Sequence, residues 1–428
     1  MTKEIQQETI RGIALRAKAL GGRAMLVGGC VRDALTGRGS ADIDCEVYGL
    51  APQALRSLAA EFGEVDESGA RYGIFSLKGA GIDLAVPRLE RRTGPKHGDF
   101  DVRLDPALPF ARAAARRDFT VNAILQDALT GEIVDPFGGQ DDLRRGVLRA
   151  VPGDGFAEDP LRVLRGAQFA ARFRLSPDAK TLEKMRTMRT DALSPARVLG
   201  EMKKAMASDA PDVFFDVLRR ADALRTWFGE LAALIGVPQP PRYHPEGDAY
   251  THSMRVLHAA AQKKARALRP EAFVFAALTH DLGKAVSTAR GEDGEWHACG
   301  HENTGVPLTR AMLGRLGVNR EIIAYCENMC RLHMRAHVCH YRQAETGETN
   351  LLFDESVCPN DLALLAVCDT LGKGSASGGA DGEAAFLTGR VRVYEETAAR
   401  GLPDGGMLLA ARSEERRVGK ECRSRWSP

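Results

Sequence analysis

The chain has 428 residues, of which 44% are hydrophobic and 27% are charged. This length can bury a large core and suffices for about two to four domains. The formal net charge is only +2, so bulk charge gives no argument for a nucleic-acid partner, which would need a local groove of lysines and arginines. No apolar run approaches a membrane span, and the polar start MTKEIQQETI lacks the hydrophobic region of a secretory signal. We therefore expect a cytoplasmic protein with no membrane segment.

Nine cysteines are scattered along the chain, and their number is odd. Such a distribution fits reduced thiols in a reducing compartment better than a disulfide framework. The cysteines therefore agree with a cytoplasmic location.

The last segment of the chain, 412–428, reads RSEERRVGKECRSRWSP and resembles the translation of a common short-read sequencing adapter. We exclude it from reasoning about the fold. The alternative is a natural basic tail. If the resemblance holds, the natural C-terminus is missing and the last domain is truncated.

Short β-like runs alternate with helical patterns over residues 25–149. The runs are AMLVGG, DIDCEVYG, YGIFSLKG and GIDLAVP, and a helical pattern, PQALRSLAAEF, lies among them. After Glu158 the apolar residues recur at helical spacing almost to the end, as in LRVLRGAQFAARF and FVFAALTHDLG. The sequence therefore predicts an α+β fold in which a mixed-sheet head precedes an all-α remainder.

Segments rich in glycine, proline or serine mark the joints between domains. They lie near 153–155, 236–247 and 372–382. The predicted domains are a head, a helical neck that binds RNA and nucleotide, and an all-α body, over residues 1–150, 151–235 and 245–411.

The run GGCVRD, residues 28–33, follows an apolar strand and opens a short helix. Backbone N–H groups at such a turn can cradle phosphates, so Gly28, Gly29 and Arg32 are candidate nucleotide-binding residues. Alone the signal is weak, because strand-to-helix turns use glycine for purely structural reasons about as often.

Asp42 and Asp44 belong to the next predicted strand. Residues two apart on a strand point to the same face, so the carboxylates lie side by side and repel unless a cation joins them. Such ligands suit Mg²⁺, which would bridge nucleotide phosphates and help an RNA 3′-hydroxyl attack the α-phosphate. A lone acidic pair is more often a solvated turn. With the glycine turn, however, it resembles the DNA polymerase β type of nucleotidyltransferase, with Asp83 as a third carboxylate.

The segment RRDFTVNAI contains Arg117, Asp118 and Asn122, which offer charged and amide groups to a ribose and a triphosphate. They would also serve as ordinary polar residues at a helix start. This segment alone therefore does not distinguish nucleotide-binding residues from an ordinary helix start.

A second polar group lies in EDPLRVLR, where Glu158, Asp159, Arg162 and Arg165 follow a helical spacing. The i, i+3 step places Asp159 beside Arg162. An ordinary surface ion pair is the alternative interpretation.

Five motifs, GGxVRD, DxD, RRDFTxNA, DPFGGxxDL and EDPLRVLR, occur in this order. The combination resembles class II tRNA nucleotidyltransferases and bacterial poly(A) polymerases, over about 25–206, including a weaker neck match, SPARVLGEMKKAM. The resemblance implies that the residues matching Asp159 and Arg162 select the incoming base. A carboxylate accepts from the amine of cytosine or adenine while a guanidinium donates to the ring nitrogen, whereas uracil and guanine reverse this pattern.

The segment 87–106 corresponds to a loop through which that family switches from C to A. It matches the loop of full CCA-adding enzymes at Arg88, Glu90, Arg91, Gly94 and Phe100, although KHGDF replaces the more usual GHxGF spacing. The basic stretch typical of poly(A) polymerases after the DxD strand is not found. We therefore expect addition of CCA to tRNA from CTP and ATP, with a poly(A) polymerase or an A-only enzyme as the alternative.

The helical remainder carries His252 in DAYTHSM, His280 and Asp281 in LTHDLGK, and Asp369 in AVCDTLG. Ligands of this kind on several helices can enclose a divalent metal. The order H…HD…D resembles the HD phosphohydrolase superfamily, and HPEGDAYTH, HDLGK and GHENTG match the version fused to some tRNA nucleotidyltransferases. The body, 245–411, is then an HD domain.

That resemblance implies a second metal, Mg²⁺, Mn²⁺ or Ni²⁺, with His301 and His333 as further ligands or phosphate contacts. Such a site could act as a phosphatase or open a 2′,3′-cyclic phosphate. A phosphohydrolase with an inert RNA-binding head is the alternative from another class, and a non-catalytic RNA-binding protein is a third.

Cys326, Cys330, His333 and His337 follow a C-x3-C-x2-H-x3-H spacing that suggests zinc. Structural zinc sites usually draw ligands from two separate elements, however. We therefore favour buried thiols on one helix, with His333 and also His337 facing the HD cavity.

Overall fold

The computed structural model of the protein describes residues 2–40, 42–92, 100–374 and 379–399. The chain divides into two compact units, Met1–Ala192 and Leu193–Pro428. This division falls within the predicted neck, and the predicted domain ranges remain predictions. The adapter-like segment lies outside the described residues, as does the part of the predicted body beyond residue 399.

The first unit is built on a mixed sheet. Its strands are β1 (Arg23–Val27), β2 (Ile43–Tyr48), β3 (Val65–Asp66), β4 (Ile74–Leu77), β5 (Ile82–Ala85), β6 (Arg88–Arg92), β7 (Phe100–Leu104), β8 (Leu125–Asp127), β9 (Ile133–Val134), β10 (Val147–Leu148) and β11 (Ser176–Pro177). Seven of these strands form one sheet in the order β3-β4-β5-β2-β1-β8-β9. The predicted α+β head is therefore confirmed.

Helices cover and flank this sheet. They are α1 (Lys3–Ala19), α2 (Gly29–Leu35), α3 (Pro52–Ala60), α4 (Phe110–Ala114), α5 (Gly139–Arg145), α6 (Leu161–Phe173) and α7 (Ala179–Arg186). The hairpin β6–β7 stands apart from the large sheet and includes most of the predicted C-to-A loop. The middle of that loop, 93–99 with Gly94, lies outside the described residues.

Strand β2 has one face in the core and another face that carries polar groups. Cys45 and Val47 belong to a core cluster that includes residues of α1 and α3. Tyr48 packs on the opposite side, where its ring lies 4.6 Å from Phe110. Because side chains alternate along a strand, Asp44 shares the face of Glu46 and Tyr48.

Glu46 fastens the segment after α4 to this face of β2. Its Oε1 accepts from Arg116 Nη2 at 2.6 Å and from Arg117 Nη2 at 3.1 Å, and Tyr48 Oη donates to Oε2 at 2.9 Å. Burial opposes ionisation of Glu46, but the two guanidinium groups and the tyrosine outweigh it and hold the pKa at about 2. The RRDF segment is thus anchored by a buried charge.

The DPFGG motif braces the same segment from another side. The carboxylate of Asp135 accepts from the backbone N–H groups of Gly139 and Gln140 at 2.8 and 2.9 Å. A Cβ on Gly139 would lie 2.2 Å from the carbonyl oxygen of Thr120, so only glycine fits there. This motif therefore positions the turn that carries Asn122.

The described part of the second unit is helical except for one short hairpin. Its helices are α8 (Pro195–Met206), α9 (Asp212–Arg220), α10 (Leu224–Trp227), α11 (Gly229–Ala232), α12 (Ala249–Lys263), α13 (Pro270–Thr279), α14 (Lys284–Ser287), α15 (His301–Arg315), α16 (Arg320–Tyr341), α17 (Thr346–Glu355), α18 (Pro359–Gly372) and α19 (Ala380–Ala399). The hairpin strands are β12 (Ala289–Arg290) and β13 (Trp296–His297). No helix within the described ranges is long and apolar enough to cross a membrane.

A close backbone approach joins the segment after α13 to the start of α15. A Cβ on Gly283 would lie 2.0 Å from the carbonyl oxygen of His301 and 2.7 Å from the nitrogen of Gly305. Gly305 in turn approaches the thiol of Cys330 on α16. The glycine of the HDLGK motif therefore lets three helices of this unit meet.

We expect Glu46→Gln to lower the free energy of unfolding of the first unit at neutral pH by about 3 kcal/mol. The folded pKa of Glu46, about 2, is below its ordinary value of 4.5, so its contribution is present above pH 4.5 and is lost as the pH falls towards 2. Urea unfolding, followed by circular dichroism at several pH values in this range, should show that the free energy of unfolding falls less with decreasing pH in Glu46→Gln than in wild type. Glu67→Gln, at an exposed pair with Arg56, is the control and should change stability little.

We expect Gly283→Ala to destabilise the second unit by about 1–3 kcal/mol, because the added methyl group overpacks its contact with α15. Gly314→Ala on α15 meets nothing within 4 Å and should stabilise by about 0.5–1 kcal/mol. Trp227 and Trp296 lie in this unit and no tryptophan occurs in the sequence before residue 193, so tryptophan fluorescence during urea unfolding does not report on the first unit. Equal effects of the two substitutions would contradict the packing argument.

Candidate functional site

Three exposed carboxylates lie at the polar face of β2 and its neighbour β5. Asp44 is the direct partner of Asp83 in the parallel register, and Asp42 precedes β2. The pKa of Asp44 is raised, first because neighbouring protein atoms remove part of the hydration of its carboxylate and also because Asp83 and Asp42 add negative charge, while Arg117 opposes the shift. A bound cation would relieve this repulsion.

The carboxylate oxygens of these three aspartates lie farther apart than the ligand atoms of a closed metal site. Among the described residues, the groups of three or more ligands within 4.8 Å of one another lie in the second unit. The head carboxylates therefore leave space that phosphate oxygens could share with a cation.

The predicted glycine turn lies against this face. Gly28 has φ 74°, a left-handed conformation, and a Cβ there would lie 2.8 Å from Arg117 Nη1 and 3.6 Å from Asp44 Oδ2. Gly29 begins α2 directly after the turn. The fold thus brings the turn, an arginine and a carboxylate together, as a phosphate site requires.

A buried hydrogen-bond network joins four of the other predicted residues. Arg32 Nη1 donates to Asn122 Oδ1 at 2.7 Å, and Asn122 Nδ2 donates to Asp118 Oδ1 at 2.9 Å. Arg165 Nε donates to Asp118 Oδ2 at 2.8 Å. Residues from three separate motifs are therefore fixed relative to one another.

The prediction that Glu158 and Asp159 continue a helix with Arg162 is wrong. A 3₁₀ turn ends at Glu158, Asp159 has an extended backbone (φ −124°, ψ 107°), and α6 begins at Leu161. Pro160 explains the break, because a residue before proline avoids the helical region.

The two base-selecting candidates have local partners in this structure. Asp159 Oδ1 accepts from the backbone of Leu161 at 3.0 Å. Arg162 donates to the carbonyl oxygens of Gly155 and Arg116, both at 2.7 Å. These two bonds use two of the five guanidinium N–H donors, so Arg162 retains N–H groups that could donate to a base.

In the second unit the four residues of the H…HD…D pattern converge although they come from three parts of the chain. His252 Nε2 lies 2.8 Å from Asp369 Oδ1 and 3.6 Å from Asp281 Oδ2, and His280 Nε2 lies 3.3 Å from Asp281 Oδ2. All four side chains are buried. The predicted cluster is thus present.

The two additional histidines meet the other oxygen of Asp281. His301 Nε2 and His333 Nε2 lie 3.1 and 3.5 Å from Asp281 Oδ1 and 3.2 Å from each other. The side chains therefore form two groups of possible ligands, one with His252, His280 and Asp369 and one with Asp281, His301 and His333.

Backbone carbonyls fix the tautomers of three imidazoles. Nδ1 of His280, His301 and His333 lies 2.9, 2.7 and 2.6 Å from the carbonyl oxygen three residues earlier. A carbonyl accepts only, so Nδ1 carries the proton and, in the neutral ring, Nε2 offers a lone pair to the centre. Burial lowers the pKa of His333 to about 4, which favours that neutral ring.

Orphaned polar atoms show that a cation fits this centre. His280 Nε2 and both carboxylate oxygens of Asp281 are buried without a hydrogen-bond partner. Lys284 Nζ lies 2.7 Å from Asp281 Oδ2, an ion pair without hydrogen-bond geometry. Buried lone pairs that face one another are unfavourable unless a cation joins them, and imidazole with carboxylate is a suitable donor set.

Three further residues, Glu246, His337 and Glu383, support the ligands, and of these only His337 is predicted from the sequence to face the HD cavity. Glu246 Oε1 lies 2.7 Å from His252 Nδ1. His337 Nε2 lies 2.6 Å from Asp369 Oδ2, and its Nδ1 lies 2.7 Å from Glu383 Oε1. Glu246 lies within HPEGDAYTH and could have been noticed there, whereas no local signal connects Glu383 to the site.

The structure agrees with the buried-thiol interpretation of the C-x3-C-x2-H-x3-H spacing. Cys326 and Cys330 are buried on α16 and contact the carbonyl oxygens of Ala272 and His280. Burial raises the pKa of Cys330 to about 12, so its thiol stays protonated. His333 faces the HD cavity, as predicted.

An open cleft of about 950 Å³ leads to this centre. Asp369, His301 and Lys284 line it, and Tyr243 and Trp296 add aromatic surface. The buried ligands therefore have an access route wide enough for a small phosphate compound.

Both parts of the chain match known domain families. Residues 24–149 match the poly A polymerase head domain, and residues 249–371 match the HD domain. Solved structures of similar fold include a CCA-adding enzyme in an apo form (TM-score 0.62, 18% identity, 93% of this chain and 85% of that one). Another is the Thermotoga maritima CCA-adding enzyme complexed with tRNA (TM-score 0.60, 17% identity, 92% and 83%). At these identities the likeness concerns the fold.

Other relatives share a higher sequence identity with this chain than these solved structures do. A multifunctional CCA protein of Nitrosococcus oceani is 41% identical over 318 residues, which cover 73% of this chain and 74% of the relative. A multifunctional CCA protein of Pseudomonas aeruginosa is 38% identical over 336 residues, 76% and 77% of the two chains. The chain belongs to the family of multifunctional CCA proteins.

Proposed function

We propose that the chain adds the terminal CCA to tRNA from CTP and ATP without a nucleic-acid template. The observation that carries this proposal is the meeting of Asp44, the Gly28 turn and Arg117 on one face of the head sheet. Acidic ligands beside a phosphate cradle are what nucleotidyl transfer requires. Reduced thiols and this substrate favour the cytoplasm as the place of action.

Each group of head residues has a distinct part in this proposal. Asp42 and Asp44 would hold Mg²⁺, which when bound neutralises the triphosphate and assists attack by the RNA 3′-hydroxyl. Gly28, Gly29 and Arg117 contact phosphate oxygens. The buried network of Arg32, Asn122, Asp118 and Arg165 orients the ribose and phosphates. Asp159 and Arg162 read the base.

We further propose that the HD centre binds Mg²⁺, Mn²⁺ or Ni²⁺ and hydrolyses phosphoesters. The orphaned atoms of His280 and Asp281 support this proposal. The metal would supply an activated water, while Lys284, beside Asp281 and on the cleft wall, is placed to contact a substrate phosphate. His252 and Asp369 complete the ligand set.

With tRNA lacking its 3′ end, we expect CTP alone to give addition of CC and subsequent ATP to give a terminal A. Asp44→Asn should reduce this addition more than about a hundredfold, because it removes a charge that holds the cation. Sequencing of the products measures substrate, order and stopping point together. Glu61→Gln, at an exposed pair with Arg16, is the control. Incorporation of ATP only would indicate an A-adding enzyme instead.

We expect Asp281→Asn to weaken Mn²⁺ binding to the HD centre at least tenfold and to abolish phosphodiester hydrolysis, while CCA addition persists. The reason is that Asp281 contacts ligands of both groups. Calorimetric titration with Mn²⁺ and hydrolysis of a 2′,3′-cyclic nucleotide are the measurements. His258→Asn, at an exposed histidine of the same unit, should change neither. Unaltered Mn²⁺ affinity in Asp281→Asn would refute the metal assignment.

A further inference from the structure

Arginine and phenylalanine side chains alternate along one side of the head from its buried network to its surface. Arg165 lies 5.1 Å from the ring centre of Phe169, and Arg32 lies 5.3 Å from Phe169 and 4.0 Å from Phe173. Arg38 and Arg172 lie 5.1 and 5.0 Å from Phe173. We call these six side chains the arginine–phenylalanine stack.

The inner and outer ends of the stack have different surroundings. Arg32 is 5% exposed and donates to Asn122, and Arg165 pairs with Asp118, so the inner end belongs to the nucleotide network. Arg38 and Arg172 are exposed. The stack thus runs from the candidate nucleotide site, where Asp33 and Asp118 pair with its arginines, to exposed guanidinium groups on the surface of the same unit.

The outer end is held in place. Arg38 Nη1 donates to the carbonyl oxygen of Arg172 at 3.0 Å, and both guanidinium groups lie within cation–π distance of Phe173. A guanidinium that stacks on a ring can still use its N–H edge for a planar, two-point contact with a phosphate. The fixed orientation of these guanidinium groups therefore favours a direct contact with a phosphate group over loose association with mobile anions.

The outer end is also close to the candidate catalytic carboxylates. Arg38 precedes Asp42 by four residues, and a chain of that length spans at most about 14 Å even when fully extended. An RNA whose 3′-hydroxyl reaches Asp42 and Asp44 must bring its last backbone phosphates near this point. Asp33 pairs with Arg32 at 2.7 Å, so the positive charge that an RNA phosphate would meet lies at the exposed outer end of the stack.

We propose that the outer arginines of the stack, Arg38 above all, bind backbone phosphates at the single-stranded 3′ end of the RNA. The proposal rests on the proposed function, because it says where on the head the 3′ end of the tRNA substrate binds. Arg38 thereby positions the RNA, whereas the inner arginines serve the incoming nucleotide. Arg38 is an RNA-binding residue rather than a residue of the chemical step.

The test is the affinity for tRNA lacking its 3′ end, measured by fluorescence anisotropy over a series of salt concentrations. One lost contact to a single-stranded phosphate should lower the slope of log K against log salt by about 0.7 and weaken binding roughly fivefold at about 0.1 M salt. We expect these changes in Arg38→Gln, with the KM for CTP unchanged. Arg38→Lys should retain the slope but lose part of the affinity, because lysine lacks the planar group.

Arg56→Gln is the matched control, because Arg56 is an exposed head arginine that pairs with Glu67. It should bind tRNA as wild type does, and thermal melting should show that both variants are folded. Equal tRNA binding by Arg38→Gln and Arg56→Gln would overturn the proposal. A raised KM for CTP with unchanged tRNA affinity would also overturn it, by assigning Arg38 to the triphosphate. Failure of the wild type to extend tRNA would instead count against the proposed function.

Discussion

Carboxylates grouped with one another or with imidazoles are the feature on which both candidate sites depend. In the head, Asp83 and Asp42 raise the pKa of Asp44, and Arg117 compensates only in part. In the second unit, both oxygens of Asp281 are buried without a hydrogen-bond partner, and the neighbouring His280 and Lys284 hold the pKa of this carboxyl well below its ordinary value. Folding tolerates such arrangements because neighbouring cations reduce the cost, and a bound metal ion would compensate the remaining charge.

Two carboxylates on one strand of the head are compensated to different degrees. Glu46, on the same face as Asp44, is fully compensated by two arginines and has a pKa of about 2. Asp44 is left exposed and only partly compensated, and it is therefore available to a cation. One strand thus carries a structural carboxylate and a functional one, distinguished by the arginines that reach them.

The head sheet and the ligand residues could be predicted from sequence because their signals are local. Asp44 lies on β2 as the DxD spacing predicts, although Asp42 precedes the strand, and HDLGK combines two ligands with the glycine that packs against His301. The helical placement of Glu158 and Asp159 is wrong because the apparent helical spacing runs across Pro160, whose ring restricts the residue before it.

Other contacts could not be predicted because the partners are distant along the chain. Glu383 contacts His337 from α19, and Glu46 acquires its partners only when the segment after α4 folds back onto β2. Nothing in one sequence distinguishes such a glutamate from an ordinary surface acid. The supports of a site are therefore harder to predict than its ligands, since the supports have no fixed spacing.

The shared use of Arg117 has a consequence for nucleotide binding. This arginine donates to buried Glu46 through Nη2, while its Nη1 lies at the Gly28 turn. Immobilising a long side chain usually costs about 1 kcal/mol of conformational entropy at the moment of binding. For Arg117 that ordering happens when the chain folds, so an arriving triphosphate meets a guanidinium already aimed at it.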